Sequence, residues 1–126
     1  MNGAFSIEEV IVTRGEHMGF TNWSGDLNPL HLGEEAILHG ALINGKVSSC
    51  CWKKFGDGTK VTSIKEMNFF RPIRPDQPFR VLLSDGVPFI QHGILYLQVD
   101  VEILVQYQGR EKLTCSGTLV LIPPAK

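Results

Sequence analysis

Leu95, Leu97, Val99, Val101, Ile103 and Val105 occupy every second position, with polar Gln98, Asp100, Glu102 and Gln106 between them. That alternation predicts a β-strand with one face in a core and the other in water. Gln108-Gly109-Arg110 then turns the chain, and Leu113 to Ile122 reads as a second strand with Thr114, Ser116 and Thr118 on one face. Long strands joined by a short turn pair antiparallel. Weaker strand patterns cover Ile7 to Thr13, Thr59 to Phe70 and Phe79 to Ser84, the last ending at Asp85-Gly86. Residues 71–78 hold Pro72, Pro75 and Pro78, which cannot sit in a central strand, so they form a connection.

A different period runs through Ile43, Val47, Cys50, Cys51 and Phe55, whose three- and four-residue spacing predicts a helix from about His39 to Phe55. Gly45, Ser48 and Ser49 are small enough to let another element approach the helix closely, which predicts a buried helix. Gly56-Asp57-Gly58 stops it, glycine being able to take the left-handed conformation of a C-cap. Arg14 to Trp23 is weakly helical, with Met18 and Phe20 as expected core contacts. Ser24 to Glu35 is dense in Gly, Asp, Asn and Pro and reads as loop. One buried helix and an antiparallel sheet that wraps it give an α+β fold class, in a single domain spanning residues 1–126.

Composition narrows the function. A chain of 126 residues is long enough to bury a core without a disulfide or metal staple. Its formal charge of −1 supplies no general attraction to nucleic acid or an anionic membrane. No apolar run approaches the roughly 18 residues of a spanning helix. Cys50, Cys51 and Cys115 are odd in number and form no C-x-x-C, which argues against a disulfide framework or a zinc site. MNGAFSIEEV lacks the basic start and apolar run of a signal peptide, so the expected location is cytoplasmic. No metal or redox cofactor is implied.

The chemistry concentrates in Gly25-Asp26-Leu27-Asn28-Pro29-Leu30-His31 and the nearby His39-Gly40. A carboxylate and an imidazole stand five residues apart across a proline-stiffened loop, the two residue types best suited to moving protons near neutral pH. The same residues also suit a loop-capping carboxylate and a structural histidine. Asn28 can hydrogen-bond the neighbouring backbone and Pro29 limits the loop's conformations, so both are supporting residues. Gly40 opens the helix, where unpaired N–H groups and a partial positive charge can hold an oxygen that develops negative charge.

Ser24-Gly25-Asp26-Leu27-Asn28-Pro29-Leu30-His31 strongly resembles the signature of the MaoC-like, (R)-specific enoyl-CoA hydratase family, a Ser/Gly-Asp-x-Asn-Pro-aliphatic-His run. The similarity continues through Ile37-Leu38-His39-Gly40-Ala41-Leu42 and through Lys65 to Gln77. The chain departs from the family in Gly33, where an acidic residue is usual, and in the short segment Leu32 to Leu38 between His31 and His39. The longer family segment helps to wall the acyl pocket, so the motif specifies the chemistry more firmly than the substrate.

The resemblance implies a hot-dog fold in which Asp26 and His31 are the catalytic acid–base pair and the Gly40 N–H is the oxyanion donor. It further implies syn hydration of a trans-2-enoyl thioester, or the reverse dehydration of an (R)-3-hydroxyacyl thioester, carried by CoA or an acyl carrier protein. A homodimer is expected with it. His39 is expected to close the helix start, and Ser48, about two turns along, to face either the site or the packing. Arg71, Arg74, Lys53, Lys54 and Lys60 are candidates for the carrier's phosphates, though solvated surface charge is the simpler expectation for each. Trp23 and Trp52 are expected in packing. Two other functions remain open on this fold: thioester hydrolysis, and acyl-thioester binding without turnover.

Overall fold

The structure, a computed structural model, describes residues 5–25, 29–31 and 36–125. Asp26, Asn28 and Gly33 lie outside the described residues, as does the side chain of Pro29. The element order is β1 (Ser6–Val10), α1 (Arg14–Ser24), a single 3-10 turn (Pro29–His31), α2 (Gly40–Phe55), β2 (Lys60–Phe69), β3 (Phe79–Leu83), β4 (Val87–Gln91), β5 (Ile94–Tyr107) and β6 (Arg110–Ile122).

The six strands form one antiparallel sheet in the order β1-β3-β5-β6-β2, with β4 also paired to β5. β5 is long enough to serve two partners on one edge. Its second half pairs β3, from Phe79↔Val105 to Leu83↔Val101. Its first half pairs β4, from Val87↔Gln98 to Gln91↔Ile94. β3 and β4 therefore lie end to end, and the other edge of β5 carries β6 from Leu97 to Tyr107.

The alternation in β5 fixes where the core sits. Val99, Val101, Ile103 and Val105 are buried and join Val81 and Leu83 from β3 and Cys115, Leu119 and Leu121 from β6. Ile43, Val47, Cys50 and Cys51 on one stripe of α2 belong to the same cluster, so the helix lies against the sheet as its spacing predicts. Full burial of each aliphatic side chain contributes about 1.5–3 kcal/mol, an upper estimate because the unfolded chain is partly compact. Burial also pushes the Cys51 thiol up to about 12 and Cys115 up to about 11, so both pack as neutral S–H groups.

The helix runs from Gly40 to Phe55 with His39 as its N-cap, as its spacing predicts. Several other expectations need correction. Gly56 takes φ 111° and ψ 165°, which is not the left-handed helical conformation, although its N–H still bonds the Trp52 carbonyl at 2.9 Å. β6 starts at Arg110 rather than Leu113, because the hairpin continues its pairing to Tyr107↔Arg110. Leu95 is exposed, although the alternation includes it. Thr114 is buried, not on a polar face: the register passes from Ile103↔Cys115 to Leu104↔Leu113, leaving Thr114 as the extra residue of a bulge. Met18 is 54% exposed and is not a core contact. β4 has no counterpart in the sequence reading.

Candidate active site

A capping box builds the start of α1. The Thr13 side chain accepts from the Glu16 N–H, while the Glu16 carboxylate accepts from the Thr13 N–H. Glu16 also receives Lys46 Nζ at 2.9 Å, which ties α1 to α2. This hydrogen bond and the Thr13 backbone hold the Glu16 carboxyl below its ordinary value. The residues that α1 buries are His17 and Thr21, four apart on one face, rather than its larger apolar side chains.

The 3-10 turn brings His31 to that face. His31 Nδ1 lies 3.0 Å from the Ile37 carbonyl. A carbonyl can only accept, so Nδ1 carries the proton and the neutral ring keeps its lone pair on Nε2. The Ile37 N–H in turn donates to the Leu30 carbonyl at 2.7 Å, and the Leu38 N–H to the Ile73 carbonyl at 2.7 Å. Residues 30–31 are thus bonded to 37, and the next residue to the proline-rich connection.

His31 belongs to a cluster of three histidines. Its ring stacks on His39 with centroids 3.8 Å apart and planes 13° apart. His17 lies 5.3 Å from His39 and 6.4 Å from His31, centroid to centroid. His17 Nε2 donates to the His31 carbonyl at 2.9 Å. Thr21 Oγ1 donates to the His17 carbonyl at 2.9 Å and so accepts from His39 Nε2 at 3.1 Å. The edge of Phe20 closes on His39 at 4.7 Å. With its Nε2 bonds to carbonyl and hydroxyl and two rings stacked, the cluster does not form a metal-ligand group among the described residues.

Gly40 begins α2 beside this cluster. Its N–H has no acceptor among the described residues, as helix geometry leaves it, and the His39 side chain makes no capping bond. The His39 carbonyl accepts instead from Leu42 and Ile43 N–H. His39 therefore closes the helix with its backbone and spends its ring on Thr21 and His31. Among the described residues, a Cβ built on Gly40 meets only the Phe69 ring, at 3.8 Å, an ordinary contact. Neither backbone conformation nor packing requires glycine there.

Gly40 opens onto a cavity of about 440 Å³ lined by Leu30, Ile37, Leu38, Ile43, Phe69, Phe70, Pro72 and Ile73, with Arg71 as its one charged wall residue among the described residues. Its size and apolar lining suit a small apolar group. His31 is the residue after the wall residue Leu30 and is half-buried. Ser48 is half-buried along α2 and is not among the wall residues. Of the basic candidates, Arg71 alone reaches the cavity, its guanidinium 5.8 Å from the Tyr107 ring centroid. Lys53 pairs with Glu8 at 3.7 Å and Lys54 with Asp85 at 2.9 Å. Trp23 is 83% exposed and Trp52 is exposed, so neither is packed as expected.

His17 and Thr21 escape a reading that looks for apolar stripes. In the sequence they are only two polar residues at i and i+4 on the helix that precedes the motif; that they face His31 and His39 appears only in the fold.

No protein-family model matches the sequence, and no curated protein matches it significantly. Solved structures do match. The unliganded (R)-hydratase PhaJ1 from Pseudomonas aeruginosa superposes with a TM-score of 0.78 at 20% identity, over 100% of this chain and 84% of that one. The fold is the hot-dog fold. An (R)-hydratase from A. caviae involved in PHA biosynthesis gives 0.75 at 20% identity, over 97% and 96% of the two chains. An acyl-CoA hydrolase from Staphylococcus aureus, solved with butyryl coenzyme A, coenzyme A and coenzyme A disulfide, gives 0.64 at 11% identity, over 100% and 69%. The hot-dog architecture implied by the Asp-x-Asn-Pro-x-His resemblance is thus the architecture found.

Proposed function

We propose that this hot-dog domain is a hydro-lyase that adds water across the Cα–Cβ bond of a trans-2-enoyl thioester, or removes it from an (R)-3-hydroxyacyl thioester. The observation that carries the reading is a helix-start N–H at Gly40, without an acceptor among the described residues, in the wall of an apolar cavity whose wall residue Leu30 is followed in the chain by His31. The (R)-hydratase neighbours support the same chemistry.

In this reading the acyl chain lies against Ile37, Ile43, Phe69 and Ile73, and the thioester oxygen points at the Gly40 N–H. Negative charge grows on that oxygen as water attacks Cβ, so a donor fixed before the reaction lowers the barrier. His31 Nε2, left basic by the Nδ1–H bond to Ile37, takes the proton from water. Asp26, assigned from the motif alone, works with it to return a proton to Cα on the same face. Glycine at position 40 keeps the approach open, a role that agrees with its lack of a packing reason.

Purified protein should hydrate crotonyl-CoA, and His31→Asn and Asp26→Asn should each lower the rate about 100- to 10,000-fold, the range for a lost acid–base group. Inactivity of the wild type over a range of chain lengths, on both CoA and carrier-protein thioesters, would overturn the reading. The hydrolase neighbour favours one second reading, thioester cleavage, which free thiol release would reveal. The reading also carries a homodimer. β4 pairs only with β5 among the described residues and exposes Val87 and Ile90, leaving an apolar edge for a second copy. Light scattering should give twice 14.0 kDa, and a monodisperse monomer would exclude it.

A further inference from the structure

We infer that α1 is a positioning element for the candidate base, acting through His17 and Thr21. The inference rests on His31 being that base, as proposed above. His17 sits 1% exposed and sends Nε2–H to the His31 backbone carbonyl at 2.9 Å. Thr21, 5% exposed, passes its hydroxyl proton to the His17 carbonyl and receives His39 Nε2–H. His39 then lies flat against the His31 ring. Two side chains one turn apart on α1 therefore reach the same imidazole by two routes. One holds its backbone, and the other fixes the ring stacked upon it.

The hydrogen-bond directions make this a chain with one consistent assignment. The His31 carbonyl must accept, so His17 is the Nε2–H tautomer, and its Nδ1 is left buried with no partner in the described structure. The Thr21 hydroxyl has one proton, already given to the His17 carbonyl, so His39 must also be the Nε2–H tautomer. The Ile37 carbonyl must accept, so His31 is the Nδ1–H tautomer. His17 thus keeps a buried orphan acceptor, a cost that an apolar residue of similar size would avoid. Packing alone gives no reason for a histidine there; the bond to the His31 carbonyl gives one.

The pair His17→Leu and His17→Gln separates positioning from packing. Leucine fills the space without a donor, and glutamine places an amide N–H where Nε2 stood. Long-range proton–nitrogen NMR of the imidazoles reads which nitrogen of each ring carries the proton. In the wild type it should show His31 as Nδ1–H and His17 and His39 as Nε2–H. His17→Leu should give His31 a mixture of tautomers and lower kcat on crotonyl-CoA about 10- to 100-fold, the scale of a small misplacement, with KM nearly unchanged. His17→Gln should restore both readouts. A single Nδ1–H tautomer at His31 in His17→Leu with unchanged kcat would overturn the inference. Equal losses in both variants, tracking their melting temperatures, would also overturn it. A wild type that turns over no enoyl thioester would sink the hydratase reading, while the tautomer readout would still decide whether α1 positions His31.

Discussion

The two ends of α2 are held by different physics. From Ile43 to Cys51 the helix lies on β3, β5 and β6 through apolar side chains, and non-directional burial suffices. At its start the neighbours are His17, Thr21, His31 and His39, joined by bonds whose donors and acceptors are each specified. The first region should respond to lost volume and tolerate changes of shape. The second should respond to a lost donor even when volume is kept.

The largest effect belongs to the first region. Ile103 is wholly buried in the cluster, so Ile103→Ala should cost about 2–5 kcal/mol and lower the melting temperature by roughly 10 °C. Thermal unfolding checks this, and a shift of a degree or two would mean that the core closes over the cavity. Gly40→Ala should do the reverse. The added methyl finds ordinary space, so the melting temperature should hold or rise. Turnover should nonetheless fall about 10- to 100-fold, because the methyl stands where the thioester must approach its donor. Equal loss of stability and activity would remove the argument for Gly40.

Thr21→Val keeps the shape and removes the hydroxyl. The buried His39 Nε2–H then lacks its acceptor, which should cost about 1–2 kcal/mol in denaturant unfolding. A neutral result would mean that this region is held by packing after all, and the contrast between the two ends would collapse. Glu16→Gln should give the smallest effect, about 0.5 kcal/mol, because both the cap and the Lys46 pair are solvent-exposed. Its pH dependence has a definite sign. The folded-state pKa of Glu16 is lowered, so its contribution is present above the unfolded value and fades as pH falls through the lowered one. An acid titration of stability should therefore be slightly shallower in Glu16→Gln.

The same contrast explains what could be read from the sequence. The periods of α2 and β5 were plain because each buries one face against a continuous core, and burial writes itself into spacing. β4 is short and mostly exposed, with Pro88 as its second residue, so no alternation marks it. The bulge that buries Thr114 is a property of two strands together and leaves no trace in either alone. At the site, the motif names His31 and Gly40; the structure puts Gly40 in the cavity wall, and His31 follows the wall residue Leu30 in the chain. The α1 contribution was not. Met18, Phe20 and Trp23 are the large apolar residues of that helix, yet His17 and Thr21 face inward, because directed hydrogen bonds to His31 and His39 outweigh the preference for apolar burial.

The product formed from crotonyl-CoA tests the central claim most directly, because it records which carbon water attacked. Mass spectrometry of a single incubation with the wild type should find an intact CoA thioester that has gained one water, chiral chromatography of the released acid should show (R)-3-hydroxybutyrate, and neither should form with His31→Asn. Free coenzyme A and crotonate would place the attack at the carbonyl and contradict the account.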